Sequence, residues 1–225
     1  MKNNYSEIAF VLDRSGSMES CRGAAIEGFN RFLADQQKVE GLAKLTLVLF
    51  DDEYLLPVNA LPVAEVLPLD EQTFVPRRTT ALLDAIGRTV DELGVRLAAL
   101  PEADRPAEVI VAILTDGAEN ASHEYTWNDL ARVIKQQTEQ YRWTFLFLGA
   151  NQDAIATAAQ MNIAAANAAC YVADAAGVQA TSRTIGRRVS GIRLSRSVHA
   201  TPADVRDATA DLSQILREES AQETE

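Results

Sequence analysis

Four short apolar runs recur along the 225-residue chain, EIAFVLD at 7–13, LTLVLFD at 45–51, VIVAILTD at 109–116 and WTFLFLG at 143–149. None alternates strictly between apolar and polar residues. Neither face of such a strand suits water, which is the pattern of parallel strands covered on both sides. The segments between them have another period. Ala25, Ile26, Phe29, Phe32 and Leu33 recur at helical spacing, as do Leu82, Ile86, Val90, Leu93 and Leu97, and then Leu130, Val133, Ile134 and Gln137. Buried strands alternating with amphipathic helices predict an α/β fold with a mostly parallel central sheet and helices on both faces. After the tight turn Asp51-Asp52-Glu53, residues 54–58 are expected to return as one antiparallel edge strand, because Pro57 is tolerable only at an edge. A loop follows to about Thr79. Residues 151–161 read as a further helix, 168–172 as a weak last strand, and Val178, Thr181, Ile185, Val189 and Ile192 as the stripe of one more helix.

The length suits one large domain, expected over 1–197, followed by an acidic C-terminal tail over 198–225. From Asp204 onward seven acids face two arginines, and Val205, Ala208, Leu212, Ile215 and Leu216 keep helical spacing, so the tail is expected to form a short amphipathic helix with a frayed end. Before it, Arg183, Arg187, Arg188, Arg193 and Arg196 occur with no acid between Asp174 and Asp204. The plain expectation is a solvated helix face; the alternative is a docking patch for the acidic tail or a partner. A net charge of −11 lacks the footprint of generic nucleic-acid or anionic-membrane binding and suits cationic ligands, metal ions included. Only five consecutive apolar residues precede Asp13, too few for a signal-peptide core or a membrane span, and a cytoplasmic location is expected. Cys21 and Cys170, far apart and without metal-ligand spacing, are expected as buried thiols.

In an open parallel sheet, ligands gather where loops leave the carboxyl ends of the strands. Asp13 ends the first run and Asp116 ends a later one. If those strands are neighbours, two carboxylates face one crevice and repel unless a cation sits between them. Ser15 and Ser17 add neutral oxygens, and Thr79 or Thr80 offers a further hydroxyl. Hard oxygens without His or Cys describe a magnesium-like site. A hydrolase triad of a serine with His123 lacks the G-x-S-x-G elbow, and a phosphate loop lacks G-x-x-x-x-G-K-[ST]. The structural alternative is that Asp13 and the serines only cap the first helix.

These motifs carry a resemblance. DRSGSM resembles the D-x-S-x-S signature of the von Willebrand factor type A (vWA) domain, TTALLDAI its threonine motif and LTDG its distal aspartate motif, in the family's order. The resemblance, to bacterial-type intracellular members, covers about the first 190 residues. It implies a Rossmann-like fold and a metal-ion-dependent adhesion site (MIDAS). Ser15, Ser17 and Thr80 would contact a divalent cation directly, with Asp13 and Asp116 near it and often acting through water. Thr80 is chosen over Thr79 because it immediately precedes the A-L-x-D-A run. Magnesium is the expected ion, with manganese or calcium as alternatives, and a partner's Asp or Glu would fill the open position. Where the family often has glycines before its threonine, this chain has Arg77-Arg78, which with Glu119 are the candidate partner-binding rim; Asp84 is expected to support the threonine loop or cap its helix. The implied function is a non-enzymatic, metal-dependent protein-interaction module. The alternatives are a metal-assisted phosphoesterase or nuclease on the same crevice, and a scaffold subunit with a structural ion.

Overall fold

The computed structural model describes residues 2–150 and 153–221. Six strands form one sheet in the order β3-β2-β1-β4-β5-β6. They are β1 (Lys2–Asp13), β2 (Leu42–Phe50), β3 (Tyr54–Pro62), β4 (Pro106–Thr115), β5 (Thr144–Ala150) and β6 (Ala168–Tyr171). All neighbours are parallel except β2 and β3. The expected antiparallel edge is therefore present, and it is longer than the sequence suggested. β3 carries Pro57 and a left-handed Ala60 (φ 52°), and its register against β2 shifts twice.

Side chains on β1 divide by parity. Ile8, Phe10 and Leu12 enter one core, where they meet α1 (Arg22–Lys38) and α5 (Ala175–Leu194). Ala9 and Val11 enter the other, against α2 (Leu82–Ala98), α3 (Trp127–Tyr141) and α4 (Ala154–Gln160). The first core holds an aromatic cluster, with Phe10 edge-on to Phe29 and Phe32 at centroid distances of 5.5 and 4.9 Å. The predicted stripe of α2 is buried throughout, as is that of α5. The helix expected over 151–161 is observed as α4; Asn151 and Gln152 lie outside the described residues.

Two expectations change. Cys21 is buried, but Cys170 is exposed, because the short edge strand β6 turns its side chain outward. The arginine-bearing helix α5 is not a solvated face. The acidic segment folds over it as two helices, α6 (Pro202–Thr209) and α7 (Leu212–Ala221), rather than one. Ala210 is extended, and Asp211 restarts the chain by accepting the Ser213 N–H at 2.9 Å. Arg188, 5% exposed, donates to the Ala210 carbonyl released by that break (2.6 Å) and to Asn167 (2.9 Å). Arg187 forms a fork with Asp207 at 2.9 Å to each oxygen, and Arg183 donates to the Glu219 carbonyl at 3.1 Å. Arg193 serves the other side, where it accepts no solvent role and donates to Gln36 at 2.8 and 2.9 Å near the end of α1. Burial lowers its pKa to about 10. Leu212 and Leu216 complete the α1/α5 core, and the Ser213 hydroxyl donates to the Ala168 carbonyl on β6 at 3.1 Å. Residues 222–225 lie outside the described part.

Candidate metal centre

Parallel pairing of β1 with β4 runs in register through Leu12 and Leu114, so the next residues on each strand, Asp13 and Thr115, leave the sheet side by side. Asp13 is fully buried. Its Oδ1 accepts the Ser15 N–H at 2.6 Å and its Oδ2 accepts the Thr115 hydroxyl at 2.5 Å. The loop then turns into a 3-10 segment (Gly16–Cys21) with Ser15 at its N-cap position. The Ser15 side chain makes no capping bond there. Instead Ser15 Oγ lies 3.0 Å from Ser17 Oγ, which donates to Asp116 Oδ1 at 2.6 Å. The two serines are thus committed to a line of oxygens that crosses from β1 to β4, which capping does not explain.

Thr80 reaches the same place from the third loop. It is 3% exposed, whereas Thr79 is exposed. Its hydroxyl lies so close to Gly117 that a Cβ there would come within 2.6 Å of Oγ1. Its backbone is paired both ways with Asn120, through Thr80 N–H to Asn120 Oδ1 (2.9 Å) and Asn120 N–H to the Thr80 carbonyl (3.1 Å). All five residues read from the sequence therefore converge on the C-terminal ends of β1 and β4.

The electrostatics are those of a site short of positive charge. Burial pushes Asp13 up from 3.8 to about 6, against the lowering effect of the Thr115 and Ser15 bonds, and the Asp116 charge pushes the same way. Burial also raises Asp116, partly offset by the Ser17 bond. Tyr171, whose hydroxyl donates to the Thr115 carbonyl at 3.2 Å, is raised well above its ordinary value by burial and by both aspartates. Among the described residues no ion pair involves Asp13 or Asp116. Nor is there a group of three or more His, Cys, Asp or Glu suited to a metal, because the donors here are two carboxylates and three hydroxyls. That set is hard, sparse in charge and suited to magnesium or manganese rather than to a thiol- or imidazole-seeking ion.

The candidate rim residues Arg77, Arg78 and Glu119 all have partners within the chain. Arg77 donates to Asp51 Oδ2 at 2.8 Å and pairs with Glu53, and Arg78 donates to Asp52 at 3.0 Å, so the acids of the β2–β3 turn hold both cations. Buried Arg14 joins the same group through Asp51 at 3.1 Å. The backbone of this arginine pair does the local work: Gly16 N–H donates to the Arg78 carbonyl (3.1 Å) and Arg77 N–H to the Arg14 carbonyl (2.9 Å). Arg78 itself is left-handed (φ 57°), the conformation glycine would take without cost. Glu119 is also engaged. It caps α2 from outside, accepting Leu83 N–H at 2.9 Å while binding Ala121 and Ser122 in its own loop. Asp84 answers by accepting the N–H groups of His123, Glu124 and Tyr125 at 2.8–2.9 Å. Sequence reasoning missed Thr115, Asn120, Ser122 and Tyr171. Thr115 stood inside the quoted LTDG run, next to Asp116, but nothing in its type marked its contact with a residue 102 positions away.

No family model matches the sequence, and no curated protein matches it. Solved structures do. Proximal thread matrix protein 1 from the mussel byssus is 14% identical, with a TM-score of 0.54 over 83% of this chain and 46% of that one. A von Willebrand factor type A protein from Catenulispora acidiphila is 19% identical, with a TM-score of 0.51 over 83% and 43%. The mussel protein is also known with a zinc-occupied MIDAS motif, at 14% identity and a TM-score of 0.52 over 83% and 46%. This chain spans less than half the length of each. At these identities the likeness establishes a vWA fold.

Proposed function

We propose that this chain, which has a vWA fold, is a non-enzymatic protein-interaction module. A divalent cation, magnesium first and manganese or calcium as alternatives, binds among Ser15, Ser17, Thr80, Asp13 and Asp116. The observation that carries the reading is the line of oxygens from Asp13 through Ser15 and Ser17 to Asp116, with Thr80 closing against Gly117 and, among the described residues, no ion pair to either acid. The bound cation supplies attraction for a carboxylate, so the partner presents an Asp or Glu. The residues of the chain set the terms of that contact. Ser15, Ser17 and Thr80 offer uncharged oxygens, Thr115 and the Ser15 amide hold Asp13, and Asp84 and Glu119 fix the loop that carries Asp116. Arg77 and Arg78 organise the D-x-S-x-S loop through their backbone, while the acids of the β2–β3 turn hold their guanidinium groups at the rim. No helix among the described residues is long and apolar enough to cross a membrane. A cytoplasmic setting remains part of the proposal on the strength of the sequence.

Affinity capture with wild type and Thr80→Val, each in magnesium and in chelator, followed by titration calorimetry with the captured protein, tests this. Val keeps the buried methyl and puts a second methyl in place of the hydroxyl, so the shape is held while the oxygen is lost. Binding by wild type in magnesium alone is expected. Equal affinity in all four conditions removes the cation from the mechanism, and metal-dependent turnover of a generic phosphodiester makes the chain an enzyme instead.

A further inference from the structure

Thr115 occupies an unusual position in this arrangement. It is fully buried at the end of β4, and its single hydroxyl is used in both directions. As donor it holds Asp13 Oδ2 at 2.5 Å; as acceptor it takes the Gly117 N–H at 3.2 Å. Gly117 is the residue against which Thr80 Oγ1 rests. The Thr115 carbonyl is in turn fixed by Tyr171 from β6. With Ser15 N–H on its other oxygen, the fully buried Asp13 carboxylate has a protein donor on each oxygen.

That restraint bears on which ion the site accepts. Calcium takes six to eight oxygens and commonly draws a carboxylate in with both of its atoms, whereas magnesium requires six in near-ideal octahedral geometry and keeps several waters. A carboxylate pinned at both oxygens is poorly able to turn and chelate. Resting on the metal-site reading above, we propose that Thr115 is a positioning residue that sets ion choice: by locking Asp13, it biases the site toward magnesium and against calcium. It does not itself touch the ion.

The test uses the whole chain with magnesium and calcium chlorides as probes, read by titration calorimetry, and with urea unfolding in chelator as a measure of structure. Wild type is expected to bind magnesium more tightly than calcium. Thr115→Val, and Thr115→Ala as a second variant that removes the same hydroxyl without adding a methyl, are expected to erode that preference by about tenfold, the scale of one hydrogen bond to a charged group. Thr115→Ser restores the hydroxyl and is expected to restore the ratio. A merely structural role lowers urea stability and leaves the ratio of the two affinities alone. An unchanged ratio in both hydroxyl-free variants overturns the proposal, as does a ratio in Thr115→Ser that moves as far as in Thr115→Ala. A wild type that binds neither ion overturns the metal-site reading itself, an outcome separate from failed selection.

Discussion

Replacing Asp13 with Asn is expected to stabilise the metal-free protein at neutral pH, although it alters a fully buried residue at the centre of the site. Burial raises the folded pKa from 3.8 to about 6. Folded chains therefore bind more protons than unfolded ones between those values, so metal-free stability falls as pH rises from about 4 to about 6 and is level above. At about 1.4 kcal/mol per pH unit of separation, the buried charge costs about 3 kcal/mol at pH 7.5. Asn removes that cost and keeps the local bonds. Its carbonyl still accepts Ser15 N–H, and its amide donates to Thr115 Oγ1, whose own proton can turn to the Gly117 carbonyl at 3.2 Å. Urea unfolding in chelator from pH 4 to pH 8 reads the effect. The variant is expected to exceed wild type by about 1 to 3 kcal/mol at pH 7.5, allowing for less than ideal amide geometry, with the gap closing toward pH 4. Millimolar magnesium is expected to stabilise wild type by mass action and leave the variant unmoved. A variant less stable than wild type at pH 7.5 in chelator, or a gap indifferent to pH, refutes the reasoning.

Truncation before α6 is expected to unfold or aggregate the domain, since it uncovers the seats of Leu212, Ile215 and Leu216 and leaves Arg188 buried without its carbonyls. Buried leucine or isoleucine losses cost about 2 to 5 kcal/mol each, so a soluble truncated chain with a wild-type urea midpoint contradicts the packing described. Gly117→Ala is expected to cost about 1 to 3 kcal/mol and to abolish the stabilising response to magnesium, because its Cβ would meet Thr80 Oγ1 at 2.6 Å. Thermal unfolding with and without magnesium checks both effects; a retained metal response separates Thr80 from the site.

The fold followed from periodicity, because strands buried on both faces and helices with one apolar stripe are local patterns. The site did not: strand ends offered Asp13 and Asp116 with nearby hydroxyls, and it was the resemblance of DRSGSM, TTALLDAI and LTDG to vWA motifs that named Ser15, Ser17 and Thr80 with them. Partner choice among charges is not local. The sequence placed Arg77, Arg78 and Glu119 near the rim but not their partners, the Asp51–Glu53 acids that fold back on the arginines and the Leu83 amide on the Glu119 carboxylate. The arginines of α5 left two readings open for the same reason, a solvated face or a docking patch for the acidic tail, because helical spacing does not say that a second layer covers the helix; the tail docks there. Ala210 and Asp211 hid the break between α6 and α7 inside a continuous apolar stripe.

The two ends of the sheet differ in how they deal with a loose strand. At β6 the edge is short and α7 lies across it, with Ser213 bonded to Ala168. At β3 the edge is open, yet Pro57 withholds a donor, Ala60 bends the ladder and the register slips twice. A straight strand from another molecule finds no continuous row of donors and acceptors at either border. High local concentrations, as when many copies gather on one partner, therefore do not by this route seed edge-to-edge fibres, and copies of the chain can be crowded together without being zipped to one another.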